Sequence, residues 1–476
     1  MATTAAPPAS SPGTTGGRWS TRLDRFFRIS ERGSTIRTEL VAGAATWLTM
    51  SYILFVNPSI LGQVKDHTGF TPPFDQVLTV TALVAGVMTL LMGVYANYPF
   101  ALAAGLGLNA FVTFTLVLTL HLTWPEAMGV IVIEGLVITV LVVTGFREAV
   151  LNAIPLDLKR AIGVGIGLFI ATIGLVNAGI VVHPRAGTIV AIAPDLTTLT
   201  ILTFAIGFAV TAALVARRLK GSLLFGIVFT TVLAMVINYG WGHKRIWSDG
   251  IAQVPHTWIS APHFDLIGKF SIGGVWDVLG VATGIAVVLS VMLSDFFDTM
   301  GTVVGIAGEA GMLDAAGRLP GINRVLLVDS LAAAAGGAAS ASSNTTYIES
   351  AAGVSEGGRT GLTSVVVGVL FLVSLFLSSL AGVIPAEATA PVLVIVGYFM
   401  MTLVKDMTWQ DPGLGIPLLL TIIVMPLTYS ITNGVGAGFL SFTVINLIRG
   451  RWRDIHPLML VVSGVFAWYF IHGVVG

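Results

Sequence analysis

Cysteine is absent from the chain, which excludes disulfide staples, thiol nucleophiles and thiolate metal sites together. Charge is scarce: Asp, Glu, Lys and Arg make up 10% of the residues, against roughly 25% in soluble domains. It also cancels, with 24 basic and 24 acidic residues, so no bulk attraction to nucleic acid or acidic partners is expected. No cofactor motif is present. His243, His256 and His263 fall in the polar stretch 240–274 between apolar segments and read as solvated loop residues, so no metal is expected there.

Apolar residues fill the rest, at 55% of the chain with a mean hydropathy of +0.90. This composition predicts an all-α polytopic membrane protein, since a spanning helix satisfies its backbone polar groups internally and uses about 20 residues to cross. The 55 glycines let such helices approach closely or break inside the bilayer.

Residues 1–17 read as a disordered tail rather than a signal peptide. Arg18, Arg22, Arg25, Arg28, Arg32 and Arg37, with Phe26 and Phe27 between them, form a basic amphipathic segment that puts the N-terminus in the cytoplasm. Spans are expected near 39–61, 77–95, 99–118, 127–144, 162–182, 199–215 and 223–239, and again from 275–306 onward. Arg147, Lys159 and Arg160 read as one cytoplasmic loop, and Lys405, Arg449, Arg451 and Arg453 return the chain to that side. The apolar stretch 457–475 reads equally as one more span or as a segment lying in the interface.

One stretch does not suit lipid. Residues 338–363, AASASSNTTYIESAAGVSEGGRTGLT, lie between apolar spans yet carry hydroxyls, Asn344 and Glu349. Such a segment sits at membrane depth only when protein surrounds it or it lines a cavity. Its counterpart is the third span, where Gly105, Gly107 and Asn109 fall together and predict an interruption. The sequences AIPLDLKRAIGVGIG and VIPAEATAPVLVIVG also correspond, which points to two inverted halves with a site where their discontinuous spans meet.

The intramembrane polar residues are Asn109, Glu134, Asp295, Asp298, Asp329 and Glu349, and such residues are rare and usually functional. Asp295 and Asp298, three apart, share a helical face; carboxylates held close together can carry a proton near neutral pH. The competing reading makes Asp298 and Glu349 acceptors of backbone hydrogen bonds at a broken helix, and Glu134 and Asp329 helix-packing residues. Acid and amide groups on interrupted backbone suit a planar neutral heterocycle with both donors and acceptors, and Phe111, Phe296 or Phe297 could stack on it. The lack of basic residues at depth argues against phosphorylated substrates.

Five ordered motifs, TELVAGAATWLTMSYILFVNPSIL, ALAAGLGLNAF, IPLDLKRAIGVGIGLFIATIGLVNAGI, SDFFDTMGTVVGIA and TTYIESAAGVSEGGRTGLT, resemble the azaguanine-type (AzgA-like) purine permeases of the nucleobase-ascorbate transporter superfamily. The resemblance implies about 14 transmembrane segments in two inverted seven-segment repeats, with short strands in the third and tenth. It implies a core domain (38–145 and 275–384) and a gate domain (146–240 and 385–476), after a cytoplasmic segment 1–37 and around an external loop 241–274. The implied function is proton symport of adenine, guanine and hypoxanthine across the cell membrane. Carried over by motif, Asn109, Asp298 and Glu349 hold the substrate. Asp295, Asp329, Gly107, Glu134 and Asn344 are supporting or proton-coupling residues. A homodimer through the gate domain is left open, and the stretch after Arg453 fits that fold poorly. The rivals are uracil, xanthine or a small anion on the same fold, a channel, and an intramembrane aspartyl enzyme. The last needs aspartates on facing helices, whereas Asp295 and Asp298 share one.

Overall fold

Among the described residues two short strand pairs occur: Val181–Val182 with Ala191–Ile192 between two spans, and a second pair that interrupts spans. Leu102–Ala104 (β1) and Asn344–Thr346 (β2) pair antiparallel, with Leu102 opposite Thr346, Ala103 opposite Thr345 and Ala104 opposite Asn344. The computed structural model describes residues 18–145, 154–182, 190–240, 246–247, 250–255, 257–314 and 318–472. The tail 1–17, Arg147, His243, His256, the last residues of 457–475 and the side chains of Arg18 and Phe297 lie outside the described residues. Local backbone explains the second interruption: Ser340 and Ser342 adopt φ of 59° and 69°, a left-handed conformation that ends a helix and is uncommon outside glycine.

Among the described residues ten helices are long and apolar enough to cross a membrane, which makes this a multi-pass membrane protein. They pack in two groups. In the first, Trp124–Thr144 lies against Ile322–Ala338 and Ile272–Glu309, while Gly361–Ser374 lies against Phe74–Leu91 and Ile36–Met50. In the second, Leu156–Asn177 lies against Ala386–Met401 and Pro412–Thr428, and Leu199–Ala216 against Ser222–Gly240. The two proline-led motifs of the sequence occupy matching positions here. Pro155 and Pro385 cap Leu156–Asn177 and Ala386–Met401, with Asp157 and Glu387 in the respective first turns. The two helices then cross at corresponding glycines. A Cβ on Gly167 would lie 2.9 Å from the Gly397 carbonyl oxygen, and one on Gly397 would lie 2.5 Å from that of Gly167. Only glycine permits so close an approach.

Two expectations need correction. The fifth span begins at Leu156 rather than near 162, because Pro155 starts the helix. Lys159 and Arg160 are thus helical residues rather than loop residues, and Arg160 donates to Asp157 at 3.0 Å and to the Asp406 carbonyl at 2.7 Å. His263, read as a solvated loop residue, is exposed and pairs with Asp75 at 2.8 Å.

The stretch left undecided, 457–475, forms the helix Pro457–His472 and runs antiparallel beside Ile431–Ile448. Tyr469 Oη donates to Asn433 Oδ1 at 2.9 Å, the Phe439 and Phe466 rings meet edge to face at 5.8 Å, and the Thr443 and Ser463 hydroxyls are 2.7 Å apart. These contacts follow the neighbouring helix through its depth, and 16 residues reach about 24 Å. Small epitopes placed at 450–453 and after 472 are therefore expected on opposite membrane faces, read by impermeant labelling; labelling of both from one face would show that the helix does not cross.

Candidate functional site

Each interruption leads directly into a short helix. β1 is followed by Leu106–Ala110, and shortly after β2 comes Ser350–Ser355, with Glu349 at its cap. The paired strands lock these helices together. Tyr347 N–H donates to the Ala101 carbonyl at 2.9 Å, Ala101 N–H donates to Ser350 Oγ at 3.0 Å, and Tyr347 Oη donates to the Ala104 carbonyl at 2.5 Å. The position of Glu349 is thus set by β1 as well as by its own segment.

Glu349 accepts a hydrogen bond from Tyr52 Oη at 2.6 Å. Tyr52 lies where the first span breaks between Ile36–Met50 and Ile53–Leu61. Asp298, on Ile272–Glu309, is close enough to Glu349 and Asp329 to interact with both electrostatically. Asp298 is exposed, and so are Gly301, Val304, Gly305 and Gly308 on the same face. Nothing lies within 4 Å of a Cβ built on Gly301 or Gly305. An exposed face therefore runs from Asp298 toward the Glu309 end of the helix. Beyond Asn109, Phe114, Phe169 and Tyr429 make three mutual edge-to-face contacts at 5.6 to 6.0 Å. They close the space between the strand-bearing segment and the second helix group.

Asn109 is fully buried, and neither its Nδ2 nor its Oδ1 has a protein partner. An unmade buried hydrogen bond costs about 1–3 kcal/mol, so this amide is suited to an outside partner that both donates and accepts. Gly107 marks a contact between the two groups, because a Cβ there would lie 2.5 Å from Ile166 Cγ2. Phe111 and Phe296 are buried in the apolar core.

Asp329 works through the strand. Its Oδ1 accepts from Thr346 N–H at 2.8 Å and Thr346 Oγ1 at 2.7 Å, and its Oδ2 accepts from Thr299 Oγ1 at 2.7 Å. Thr299 in turn lies 2.5 Å from Thr345 Oγ1. Asp329 therefore ties β2 to the Asp298 helix. Asn344 is buried opposite Ala104, with Nδ2 donating to the Ser342 carbonyl at 3.2 Å. Asp295 and Asp298 share a helix but not a pocket. Asp295 is buried beside Glu134, and Ser343 Oγ reaches Asp295 Oδ2 at 3.3 Å and Glu134 Oε2 at 3.4 Å. No described Lys or Arg is among the groups acting on Glu134, Asp295, Asp298 or Glu349.

Several of these residues were not singled out from sequence. Tyr52, Ser343, Thr299 and Thr346 are ordinary residues until the fold brings them to a carboxylate. Glu39 carried a visible signal, an acid at the start of an apolar span. It is fully buried and accepts from the Arg359, Thr360 and Thr363 N–H groups at 2.9, 3.3 and 3.2 Å and from Thr363 Oγ1 at 2.6 Å, so it caps Gly361–Ser374.

Residues 37–436 match the model of a permease family, Xan_ur_permease. The chain is 39% identical to the adenine permease AdeP of Escherichia coli, over 93% of this chain and 95% of that one. It is 37% identical to the guanine/hypoxanthine permease PbuG of Bacillus subtilis, over 94% and 99%. Among solved structures, the murine anion transporter Slc26a9 in its inward-facing state superposes with a TM-score of 0.60 at 11% identity. That match covers 92% of this chain and 74% of that one and shows a shared fold.

Proposed function

The chain belongs to the Xan_ur_permease family of permeases, which are transporters and not enzymes, and on that premise we propose that it imports purine nucleobases by proton symport. Adenine, guanine and hypoxanthine are the expected substrates, as the names of the relatives suggest. The observation that carries this reading is the pair Asp298 and Glu349, Asp298 on an exposed helix face, with no described basic side chain acting on either. Carboxylates in that setting accept from ring N–H groups, and the Asn109 amide offers the complementary donor and acceptor. A small anion, the rival that the shared fold raises, would meet only negative charge here.

The two helix groups act as core and gate, the core being 38–145 and 275–384 and the gate 146–240 and 385–476. The matched Gly167–Gly397 crossing and the β1–β2 pair support two inverted seven-segment repeats, to which Pro457–His472 is an addition. With the N-terminus in the cytoplasm of the cell membrane, the exposed face from Asp298 runs inward and the Phe114–Phe169–Tyr429 cluster closes the outer side. Transport then follows when the core moves against the gate, exposing the strand break to each face in turn.

Uptake of labelled hypoxanthine and adenine by a purine-transport-deficient host expressing the chain tests this. Competition by unlabelled purines and collapse of accumulation on adding an uncoupler are expected. Uptake that only uracil, xanthine or sulfate competes, or that an uncoupler leaves unchanged, would overturn the proposal.

A further inference from the structure

Glu134 and Asp295 form a second acidic site that the substrate reading does not use. Both are fully or almost fully buried, at 0% and 1% exposure. They come from different helices, Trp124–Thr144 and Ile272–Glu309, which pack directly on one another. The two side chains are within hydrogen-bonding reach of each other. Ser343 Oγ reaches one oxygen of each, yet its single hydrogen can serve only one. The remaining oxygens, Glu134 Oε1 and Asp295 Oδ1, are buried and meet no protein donor.

The charged groups that face this pair are all acidic. Asp329 acts from the helix Ile322–Ala338 and Asp298 from one turn along the Asp295 helix. Two carboxyl groups in contact can hydrogen-bond only if one of them carries a proton. Without a cation nearby, two bare charges in a low-dielectric interior repel strongly.

We propose that the Glu134–Asp295 pair is the site that carries the coupling proton, distinct from the residues that hold the purine. This rests on the proton-symport reading above and assigns it a place. Asp298, exposed and three residues from Asp295, is the entry point. Ser343, next to Asn344 and β2, links the pair to the strand that positions Glu349. Loss of the proton leaves two like charges beside Ser343, and their repulsion moves the strand. Proton occupancy and base binding are coupled through that displacement.

The test uses the full chain reconstituted in liposomes, with labelled hypoxanthine as probe. Glu134→Gln supplies its own N–H to Asp295 and holds the pair at the single negative charge of its proton-loaded state, but it has no proton to give up. Equilibrium exchange of labelled for unlabelled hypoxanthine is expected to stay within about two-fold of wild type. Accumulation driven by an imposed gradient of one pH unit is expected to fall by about ten-fold, the factor that one pH unit carries per coupled proton. Substrate-induced alkalinisation of a lightly buffered external medium should disappear with it. Asp295→Asn is expected to show the same split, whereas Asp298→Asn loses exchange and accumulation together. Accumulation by Glu134→Gln equal to wild type overturns the assignment to this pair alone, and so does loss of exchange in proportion to accumulation. A wild-type protein that exchanges purine but never accumulates it on a pH gradient overturns the coupling reading and this site with it. Accumulation driven by sodium rather than protons does the same.

Discussion

Glu349→Gln is expected to reduce purine uptake by about ten- to a hundred-fold, the cost of a charge-assisted hydrogen bond of about 1.5–3 kcal/mol. Combined with Asp298→Asn, it should abolish uptake altogether. The glutamine amide turns one acceptor into a donor, so an N–H group comes to face either the substrate ring N–H or Tyr52 Oη, which donates to the carboxylate at 2.6 Å. Fold and insertion should survive, because the backbone of Glu349 is held by the Ser350–Ala101 and Tyr347–Ala101 hydrogen bonds rather than by its side chain. Initial uptake rates normalised to the amount of monodisperse protein extracted from the membrane give the readout. Wild-type rates in the double variant would remove both residues from the site.

The second large effect is expected at a residue without a side chain. A Cβ on Gly336 would lie 2.0 Å from the Ser342 carbonyl oxygen and 2.5 Å from Asn344 Nδ2. The nearer obstacle is backbone at the entry to β2, so it cannot rotate away as a side-chain tip can. Overpacking of this kind costs about 1–3 kcal/mol or more, and relief requires β2 to shift against β1. Gly336→Ala is therefore expected to lower the melting temperature of the detergent-solubilised protein and to abolish uptake. Gly464→Ala is the control: nothing lies within 4 Å of a Cβ there, and an exposed helical Gly→Ala change is neutral or gains up to about 1 kcal/mol. An unchanged melting temperature and normal uptake for Gly336→Ala would mean that the strand tolerates displacement and does not set the site.

The intramembrane acids differ in how visible they are in the sequence. Glu349 and Asp298 stand out in the chain because charge at membrane depth is costly and therefore rare. Glu134 and Asp329 are equally rare, but nothing local separates a carboxylate that faces another acid from one that holds a strand. That difference lies in their partners. Asp329 receives three hydrogen bonds from Thr299 and Thr346, whereas Glu134 faces another acid. The pairing of Asp295 with Glu134 rather than Asp298 is likewise a matter of which helix packs on which face of Ile272–Glu309.

By itself, the sequence determined the membrane class, the polytopic helical architecture, the two interruptions and the roster of intramembrane polar residues. Each of these is a one-dimensional consequence of transfer free energy: apolar runs of span length enter lipid, and glycine or hydroxyl clusters within them break helices. Matching proline-led motifs even pointed to two related halves. Only the tertiary structure decided that β1 and β2 pair, that Tyr52 reaches Glu349, that Pro457–His472 runs the depth of its neighbour, and that the acids divide into an open site and a buried pair. Those outcomes depend on contacts between residues up to 297 positions apart, as for Tyr52 and Glu349, and on glycine-mediated helix crossings whose geometry leaves no periodic trace in the chain.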